Sequence, residues 1–250
     1  MGVAFYAPLA IVQMGEPPAA IAAEVGEQYR WFVDRLGLQE SEYVLIRPYR
    51  GDRLPEPDEI SAAIITGSWS MVTDHAPWSE ITAAWIRGVH ALERPLLGIC
   101  YGHQLIAYAL GGTVADNPRG WEGGLQQVRM TASTDGCPLL EGLPRQFAVW
   151  LSHLQTVLRP PAEAQVLAVS PQDDCQIIRY SPYTFSLQFH PEFSRPLMAS
   201  CLRHSTRDGA RERLAALPSL EEPEWPSLIL RRFYENWRSS RGGLADSNAA

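Results

Sequence analysis

The stretch Pro95-Leu96-Leu97-Gly98-Ile99-Cys100-Tyr101-Gly102-His103-Gln104 decides the fold of this chain. An apolar run of strand length enters a G-x-C-x-G turn, and a helical pattern follows over 102–111. Because Gly98 and Gly102 carry no Cβ, the helix can pack closely beside the turn. We therefore predict a cysteine version of the strand–turn–helix nucleophile elbow, with Cys100 in a strained backbone conformation.

Short apolar runs alternate with helical patterns in the first half of the chain, which is typical of βαβ units and a parallel sheet. The predicted strands there are 9–14, 43–46, 62–65 and 95–100, and the predicted helices are 18–36, 78–93 and 102–111. Short β-type runs then dominate, at 125–130, 146–151, 165–169, 176–180 and 184–189. Closing helices are predicted at 195–216 and 226–240.

These patterns predict one α/β domain over residues 1–240. Its central sheet is mostly parallel, with flanking helices and an antiparallel extension, because the β-type runs of the second half follow one another without long helices. No linker separates two independent cores. Residues 241–250 are rich in Gly, Ser and Ala, and we predict a flexible tail there.

The charge pattern argues against several classes of function. The formal net charge is -7, and all 21 basic residues are arginine. An acidic chain without a basic tract is a poor candidate for nucleic-acid binding. The absence of lysine excludes Schiff-base chemistry and a P-loop lysine. No signal peptide and no run of membrane-spanning length is visible, so we expect a cytoplasmic protein without membrane contact.

The cysteines and histidines do not form a metal-binding pattern. The four cysteines are widely scattered without a C-x-x-C pair, and no H-x-x-x-H pair occurs. We therefore expect no metal site and no cofactor. An isolated cysteine is more often a buried small residue than a nucleophile. The flanking glycines and the strand–helix context reverse that expectation for Cys100 alone, where the helix N-terminus and a nearby histidine would favour a thiolate.

His190 has the best context of the six histidines for a catalytic base. It follows the predicted strand 184–189, and Glu192 lies two residues further on, where its carboxylate can orient the ring. The H-x-E spacing alone is a weak signal, usually produced by a surface pair. His103 lies too close to Cys100 along the helix to turn back over it, and we interpret it as structural.

Four segments resemble the class I, or triad, glutamine amidotransferases. The strongest are Gly98–Gln104 (GICYGHQ) and Gln188–Glu192 (QFHPE), and two weaker ones are Ile64–Ser70 (IITGSWS) and Trp150–Val157 (WLSHLQTV). The likeness covers nearly the whole chain and is closest to stand-alone domains similar to the amidotransferase portion of GMP synthase. It implies the flavodoxin-like α/β fold of that family.

The resemblance also implies a mechanism and a set of site residues. Cys100 would attack the side-chain amide of glutamine, His190 would protonate the departing ammonia, and Glu192 would orient His190. A glutamyl thioester would then be hydrolysed by water. The oxyanion would be held by the N–H groups of Ser68 and Tyr101. The residues implied in substrate binding are Gly67, Gln104, Ser152, His153 and Leu154.

Two positions depart from the family pattern. The oxyanion loop usually has two glycines, and here it reads Gly67-Ser68, followed by the bulky Trp69. A need for positive φ or a peptide flip would make Ser68 unfavourable. Members linked to a synthase often carry Asp where Gln155 stands, which puts contact with a GMP-synthase-like partner in question. The expected partners are glutamine and a separate synthetase or acceptor-domain protein.

Three functions remain open at this point. The first is a glutamine amidotransferase or glutaminase. The second is a γ-glutamyl hydrolase that acts on a larger substrate with the same thioester chemistry. The third is a non-catalytic binding module of the same fold, which the complete Cys–His–Glu set argues against.

Overall fold

The computed structural model describes residues 8–131 and 136–246. Its strands in chain order are β1 Leu9–Val12, β2 Tyr43–Ile46, β3 Ala62–Ile65, β4 Leu96–Ile99, β5 Thr113–Asp116, β6 Glu122–Met130, β7 Gln146–His153, β8 Gln155–Arg159, β9 Gln165–Val169, β10 Ile177–Arg179 and β11 Thr184–Leu187. Its helices are α1 Ala19–Val25, α2 Gln28–Leu36, α3 Pro77–Ala91, α4 Tyr101–Ala109, α5 Arg195–Arg203, α6 Ala210–Ala216 and α7 Trp225–Asp246.

A mixed sheet forms the centre of the molecule. Within the described ranges it has nine strands in the order β2-β1-β3-β4-β11-β10-β9-β6-β7. The first five are parallel to one another. The remaining pairs are antiparallel, and β5 and β8 form a separate antiparallel ribbon. The predicted α/β fold with an antiparallel extension is confirmed.

The parallel strands are buried on both faces, which explains why they read as continuous apolar runs. In β1, Leu9 and Ile11 belong to the hydrophobic cluster on one side of the sheet, and Ala10 and Val12 belong to the cluster on the other side. Helix α7 covers the first side and α3 and α4 cover the second. The sheet is therefore sandwiched between two layers of helices, as in other doubly wound proteins.

Two predicted helices are each divided in the structure. The segment predicted as one helix over 18–36 breaks at Gly26, whose φ of 76° and ψ of -171° only glycine adopts readily. The segment predicted over 195–216 stops at Arg203 and resumes at Ala210, after Gly209 with φ 77°. Both predictions were wrong because the apolar periodicity continues across the break.

The strands β5 and β8 have no counterpart among the predicted strands. Strand β5 is mostly half-buried, and β8 ends in two exposed residues, so neither shows the fully apolar run of a central strand. Helix α7 continues to Asp246, into the segment predicted as a tail, and residues 247–250 lie outside the described residues. Within the described part of the chain, no helix is both long and apolar enough to span a bilayer.

The carboxyl ends of the parallel strands meet at one edge of the sheet. Strand β3 leads into Thr66-Gly67, β4 leads into Cys100, and β11 leads into His190. The register of the strands aligns these three ends, since Ile65 pairs with Gly98 and Ile99 pairs with Leu187. Ligands bind to this edge in open α/β sheets.

Candidate active site

Cys100 stands in the sharp turn between β4 and α4. Its φ of 52° and ψ of -100° lie outside the regions that ordinary residues populate, a strain of about 1–3 kcal/mol. A Cβ on Gly98 would lie 2.4 Å from the carbonyl oxygen of Gly102, and a Cβ on Gly102 would lie 2.3 Å from that of Ile65. The two glycines therefore allow α4 to start directly against the sheet, as the sequence predicts.

The structure brings Cys100, His190 and Glu192 together at this edge. Nδ1 of His190 lies 2.8 Å from Oε1 of Glu192, and the Cys100 sulfur lies close enough to the ring to raise its pKa. All three residues are buried. The backbone fixes their placement, because the N–H of Cys100 donates to Leu187 O and that of His190 donates to Trp150 O.

The surroundings of His190 favour its protonated form. Burial by itself lowers the pKa of this imidazole, but the Glu192 carboxylate and the Cys100 sulfur outweigh it and raise the pKa to about 10. The ring therefore carries both protons at neutral pH. One is held by Glu192 and the other faces the sulfur, where it can be donated to a leaving group.

Two residues that the sequence did not single out hold this histidine in place. The ring of Phe193 stacks on the His190 ring, with centroids 4.0 Å apart and an interplanar angle of 21°. Nη2 of Arg35, on α2, donates to the carbonyl oxygen of Phe193 at 2.7 Å. Phe193 directly follows the Q-F-H-P-E segment, and this position could have identified it as a neighbour of His190 from sequence. Nothing in the sequence could have identified Arg35, because it lies 158 residues from Phe193.

The two candidates for oxyanion donors flank the sulfur. Ser68 follows β3, Tyr101 opens α4, and both line the same cavity as Cys100. Ser68 is not among the described residues with positive φ, so the serine meets no left-handed backbone strain in this conformation. Trp69 is accommodated at the rim, 41% exposed, with its ring edge-on to Trp31.

Gly67 lies immediately beside Cys100 and His190. A Cβ at this position would be 3.2 Å from Cε1 of His190 and 3.5 Å from Cβ of Cys100. Its carbonyl oxygen accepts hydrogen bonds from Nε2 of Gln28 at 3.1 Å and from Oγ1 of Thr66 at 2.9 Å. Neither Gln28 nor Thr66 was predicted as a site residue, because each acts through a backbone group that is not visible in sequence.

The residues implied in binding the amino-acid end of the substrate also line the cavity, which has a volume of about 260 Å³. They are Gln104, Ser152, His153 and Leu154. Gln104 is buried, and its Nε2 donates to Gln155 O at 2.7 Å and to Oε1 of Gln188 at 3.0 Å. The carbonyl oxygen of Ser152 lies 3.9 Å from the Cys100 sulfur.

The side chain of His153 points into the interior, toward a buried polar network. Its Nε2 lies 2.9 Å from Oε2 of Glu122, which also accepts from Gln176, while Oε1 of Glu122 accepts from Ser170. Ligand-type atoms of His153, Glu122 and Asp173 all lie within 4.8 Å of one another, and burial raises the pKa of Asp173. A hydrogen bond accounts for the convergence of His153 and Glu122, and Oδ2 of Asp173 lies 3.9 Å from the same ring nitrogen, so these groups form a structural network. His153 can therefore contact a substrate through its backbone rather than its side chain.

Gln155, the second departure from the family pattern, is turned inward. Its Nε2 donates to Oγ1 of Thr73 at 2.7 Å and to Oδ1 of Asp116 at 3.0 Å, and the residue is 3% exposed. An aspartate here would place two carboxylates together. The glutamine therefore joins the ribbon of β5 and β8 to the segment after β3.

The remaining histidines and cysteines serve other purposes. His103 is fully buried, Nδ1 contacts Ser186 at 2.7 Å, and burial lowers its pKa to about 3, in agreement with the structural interpretation. Cys201 also lines the cavity, but burial raises the pKa of its thiol to about 12. Such a thiol is a poor nucleophile at neutral pH.

The chain is similar to GMP synthases and to a gamma-glutamyl peptidase. It is 36% identical over 182 residues to the GMP synthase [glutamine-hydrolyzing] of Aeropyrum pernix, covering 71% of this chain and 33% of that protein. It is 32% identical over 171 residues to one subunit of the GMP synthase [glutamine-hydrolyzing] of Ignicoccus hospitalis, covering 67% of this chain and 85% of that polypeptide. It is 25% identical over 178 residues to gamma-glutamyl peptidase 5 of Arabidopsis thaliana, covering 69% of this chain and 70% of the peptidase.

A solved structure supports the fold. The glutamine amidotransferase of Methylobacillus flagellatus superposes with a TM-score of 0.72 at 22% identity, covering 92% of this chain and 95% of that one. The family model for class I glutamine amidotransferases matches residues 22–204, which include the elbow, the histidine and its carboxylate. The chain belongs to the class I glutamine amidotransferase family.

Proposed function

We propose that this protein hydrolyses the side-chain amide of glutamine to glutamate and ammonia through a thioester on Cys100. The observation that supports this most is the buried series Cys100–His190–Glu192, which opens on a cavity at the carboxyl edge of the sheet. A nucleophile, a proton donor and an orienting carboxylate are the groups that amide cleavage by a thiolate requires.

The reaction proceeds in two stages, formation of the thioester and its hydrolysis. The Cys100 sulfur attacks the amide carbon, and the electron pair of the C=O bond moves to oxygen. When this tetrahedral intermediate collapses, the C–N bond breaks and His190 gives its proton to the leaving nitrogen, which departs as ammonia. Water then adds to the thioester with His190 accepting a proton, and collapse releases glutamate and the thiolate.

The N–H groups of Ser68 and Tyr101 stabilise the oxygen that becomes negative in both stages. The removal of one such donor raises a barrier of this kind by about 3 kcal/mol. Gln104 and the backbone of Ser152, His153 and Leu154 hold the α-amino and α-carboxylate groups within the same cavity. The mechanism requires no metal and no cofactor.

The proposal is tested by measuring ammonia release from glutamine by the natural chain and by Cys100→Ala. We expect Cys100→Ala to abolish release. Cys201→Ala is the matched control, because it removes the other cysteine of the same cavity, and we expect it to keep most of the activity. Release that survives Cys100→Ala would refute the proposed nucleophile, and a natural chain without any release would refute the function.

A second candidate is hydrolysis of a larger γ-glutamyl substrate. The cavity extends past Cys100 to Trp69 and Arg207, an exposed ring and a cation that suit the remainder of a γ-glutamyl peptide. The similarity to a gamma-glutamyl peptidase supports this candidate. The kcat/KM for γ-glutamyl dipeptides relative to glutamine discriminates between the two, and a ratio well above one would favour the peptide substrate.

The ammonia acceptor belongs to a separate synthetase in this proposal. The chain matches one third of the length of the A. pernix GMP synthase and most of the I. hospitalis subunit, which is a polypeptide of its own. Co-purification with candidate synthetases, and stimulation of ammonia release by them, tests this partnership. A protein that releases ammonia equally with and without every candidate would contradict it.

A further inference from the structure

The peptide bond between Gly67 and Ser68 is fixed by two buried side chains. Nε2 of Gln28 and Oγ1 of Thr66 both donate to the carbonyl oxygen of Gly67, at 3.1 Å and 2.9 Å. Gln28 is 1% exposed and Thr66 is fully buried. The Gln28 amide would lose its hydrogen-bond acceptor in the interior if the carbonyl turned away, which is strongly unfavourable for a buried polar group.

The Thr66 hydroxyl is itself anchored to the sheet. Its oxygen accepts the N–H of Met14 at 3.0 Å, while its backbone N–H donates to Val12 O at 3.0 Å. Oγ1 of Thr66 lies 2.9 Å from Gly67 O and 3.3 Å from Oε1 of Gln28, so the shorter contact favours donation of its single hydrogen to Gly67 O. The carbonyl of Gly67 is therefore held by the end of β1 as well as by the start of α2.

The direction of the Ser68 N–H follows from planarity. No described peptide bond is cis, and across a trans peptide the N–H points opposite to the C=O. Because the Gly67 oxygen faces Gln28 and Thr66, the Ser68 N–H faces away from them. Ser68 borders the cavity that holds Cys100, so a developing oxyanion lies within its reach.

We infer that Gln28 and Thr66 are positioning residues that lock the Gly67–Ser68 peptide with its N–H toward the sulfur. This inference rests on the proposed amide hydrolysis and deepens it. The oxyanion site is then formed before substrate arrives, and ammonia release does not wait for a partner protein to turn this peptide. The serine in place of the second glycine fits a loop that keeps one orientation, since it removes the backbone freedom that a flip would use.

The first test separates turnover from binding. Gln28→Glu keeps the size of the side chain but replaces the donor with a carboxylate, and Thr66→Val removes the hydroxyl. We expect each to lower kcat for glutamine about 10- to 100-fold with KM nearly unchanged, because the oxyanion exists only in the transition state. Thr66→Ser retains the hydroxyl and should restore most of kcat. Gln127→Glu, at an exposed glutamine of β6, should leave kcat unchanged.

Crystal structures of the natural chain and of the double variant Gln28→Glu/Thr66→Val give a second, activity-independent test. We expect the Gly67 carbonyl to rotate toward the cavity in the double variant. If the natural chain releases ammonia and the variants retain its kcat, the lock is refuted and the proposed function stands. If the natural chain releases no ammonia, the proposed function fails, and an unrotated peptide in the double variant refutes the lock independently.

Discussion

At the scale of single residues, the reactivity of the site depends on a backbone conformation that its neighbours impose on Cys100. The positive φ of this cysteine aims its side chain out of the turn, and the absence of side chains at Gly98 and Gly102 makes the turn possible. Strain of this kind persists only when surrounding contacts determine it. The helix packed against β3 supplies those contacts.

The close approach of α4 to β3 makes Gly102 intolerant of substitution. A Cβ there would lie 2.3 Å from a backbone oxygen that cannot move without disturbing the sheet, so we expect Gly102→Ala to reduce the unfolding free energy by about 1–3 kcal/mol. Gly88→Ala is the control, since its Cβ would meet the side-chain carbon Cγ of Pro57 at 2.9 Å rather than a backbone oxygen, and we expect a smaller loss there. Urea denaturation measures both, and equal losses would contradict the packing account.

The His190–Glu192 contact predicts a pH dependence of stability. Because the pKa of His190 rises from 6.5 in the unfolded chain to about 10 in the folded one, its contribution is complete below pH 6.5 and is lost as pH rises through about 10. Glu192→Gln removes the main partner of the charged ring. We expect the loss of unfolding free energy in this variant to be largest below pH 6.5 and to shrink above pH 10.

Urea unfolding of the natural chain and Glu192→Gln across that pH range checks the prediction. A difference between the two proteins that stays constant, or grows as pH rises, would mean that Glu192 does not stabilise the protonated ring. The same titration should lower ammonia release at high pH, because His190 must carry the proton that it gives to the leaving nitrogen.

At the scale of elements, the break between α1 and α2 places the start of α2 at the site. Gly26 ends α1 in a conformation close to glycine-only, and α2 then begins at Gln28, whose amide reaches Gly67. A continuous helix would carry Gln28 elsewhere. The break is thus part of how the oxyanion loop is held, although the sequence pattern predicted a single helix.

We expect Gly26→Ala to reduce the unfolding free energy by about 1–3 kcal/mol, because alanine at φ 76° and ψ -171° is strained. It should also lower kcat through Gln28. Gly37→Ala is the matched control, because Gly37 ends α2 in the ordinary left-handed region. We expect this variant to lower the unfolding free energy by about 1 kcal/mol with little effect on kcat. An unchanged kcat in Gly26→Ala would show that the break between α1 and α2 does not position Gln28 for the reaction.

The elements that could be predicted from sequence are those whose environment is uniform. Strands β2, β3 and β9 have the predicted bounds, because each is a short apolar run between turn signals. Among the strands of the described ranges, β5 and β8 pair only with each other, in a sheet separate from the main one, and their mixed exposure hides the pattern. Gln28 and Arg35 read as ordinary residues of an amphipathic helix, since their partners are distant in sequence.

At the scale of the whole molecule, the parallel sheet gathers residues from three distant segments to one edge. The loops after β3, β4 and β11 supply the proposed oxyanion peptide, the proposed nucleophile Cys100, and His190 with its partner Glu192. This convergence could be predicted from sequence, because the carboxyl ends of parallel strands share an edge. The burial and charge pairing that favour the protonated His190 required the three-dimensional contacts.

The most direct test of the account is to trap the covalent intermediate. The natural chain is mixed with glutamine, quenched in acid within the first turnovers, digested and analysed by mass spectrometry. We expect a γ-glutamyl group on the peptide that contains Cys100, and none in Cys100→Ala. A γ-glutamyl group on Cys137, Cys175 or Cys201 instead, or steady ammonia release from Cys100→Ala, would contradict the central claim that Cys100 is the nucleophile.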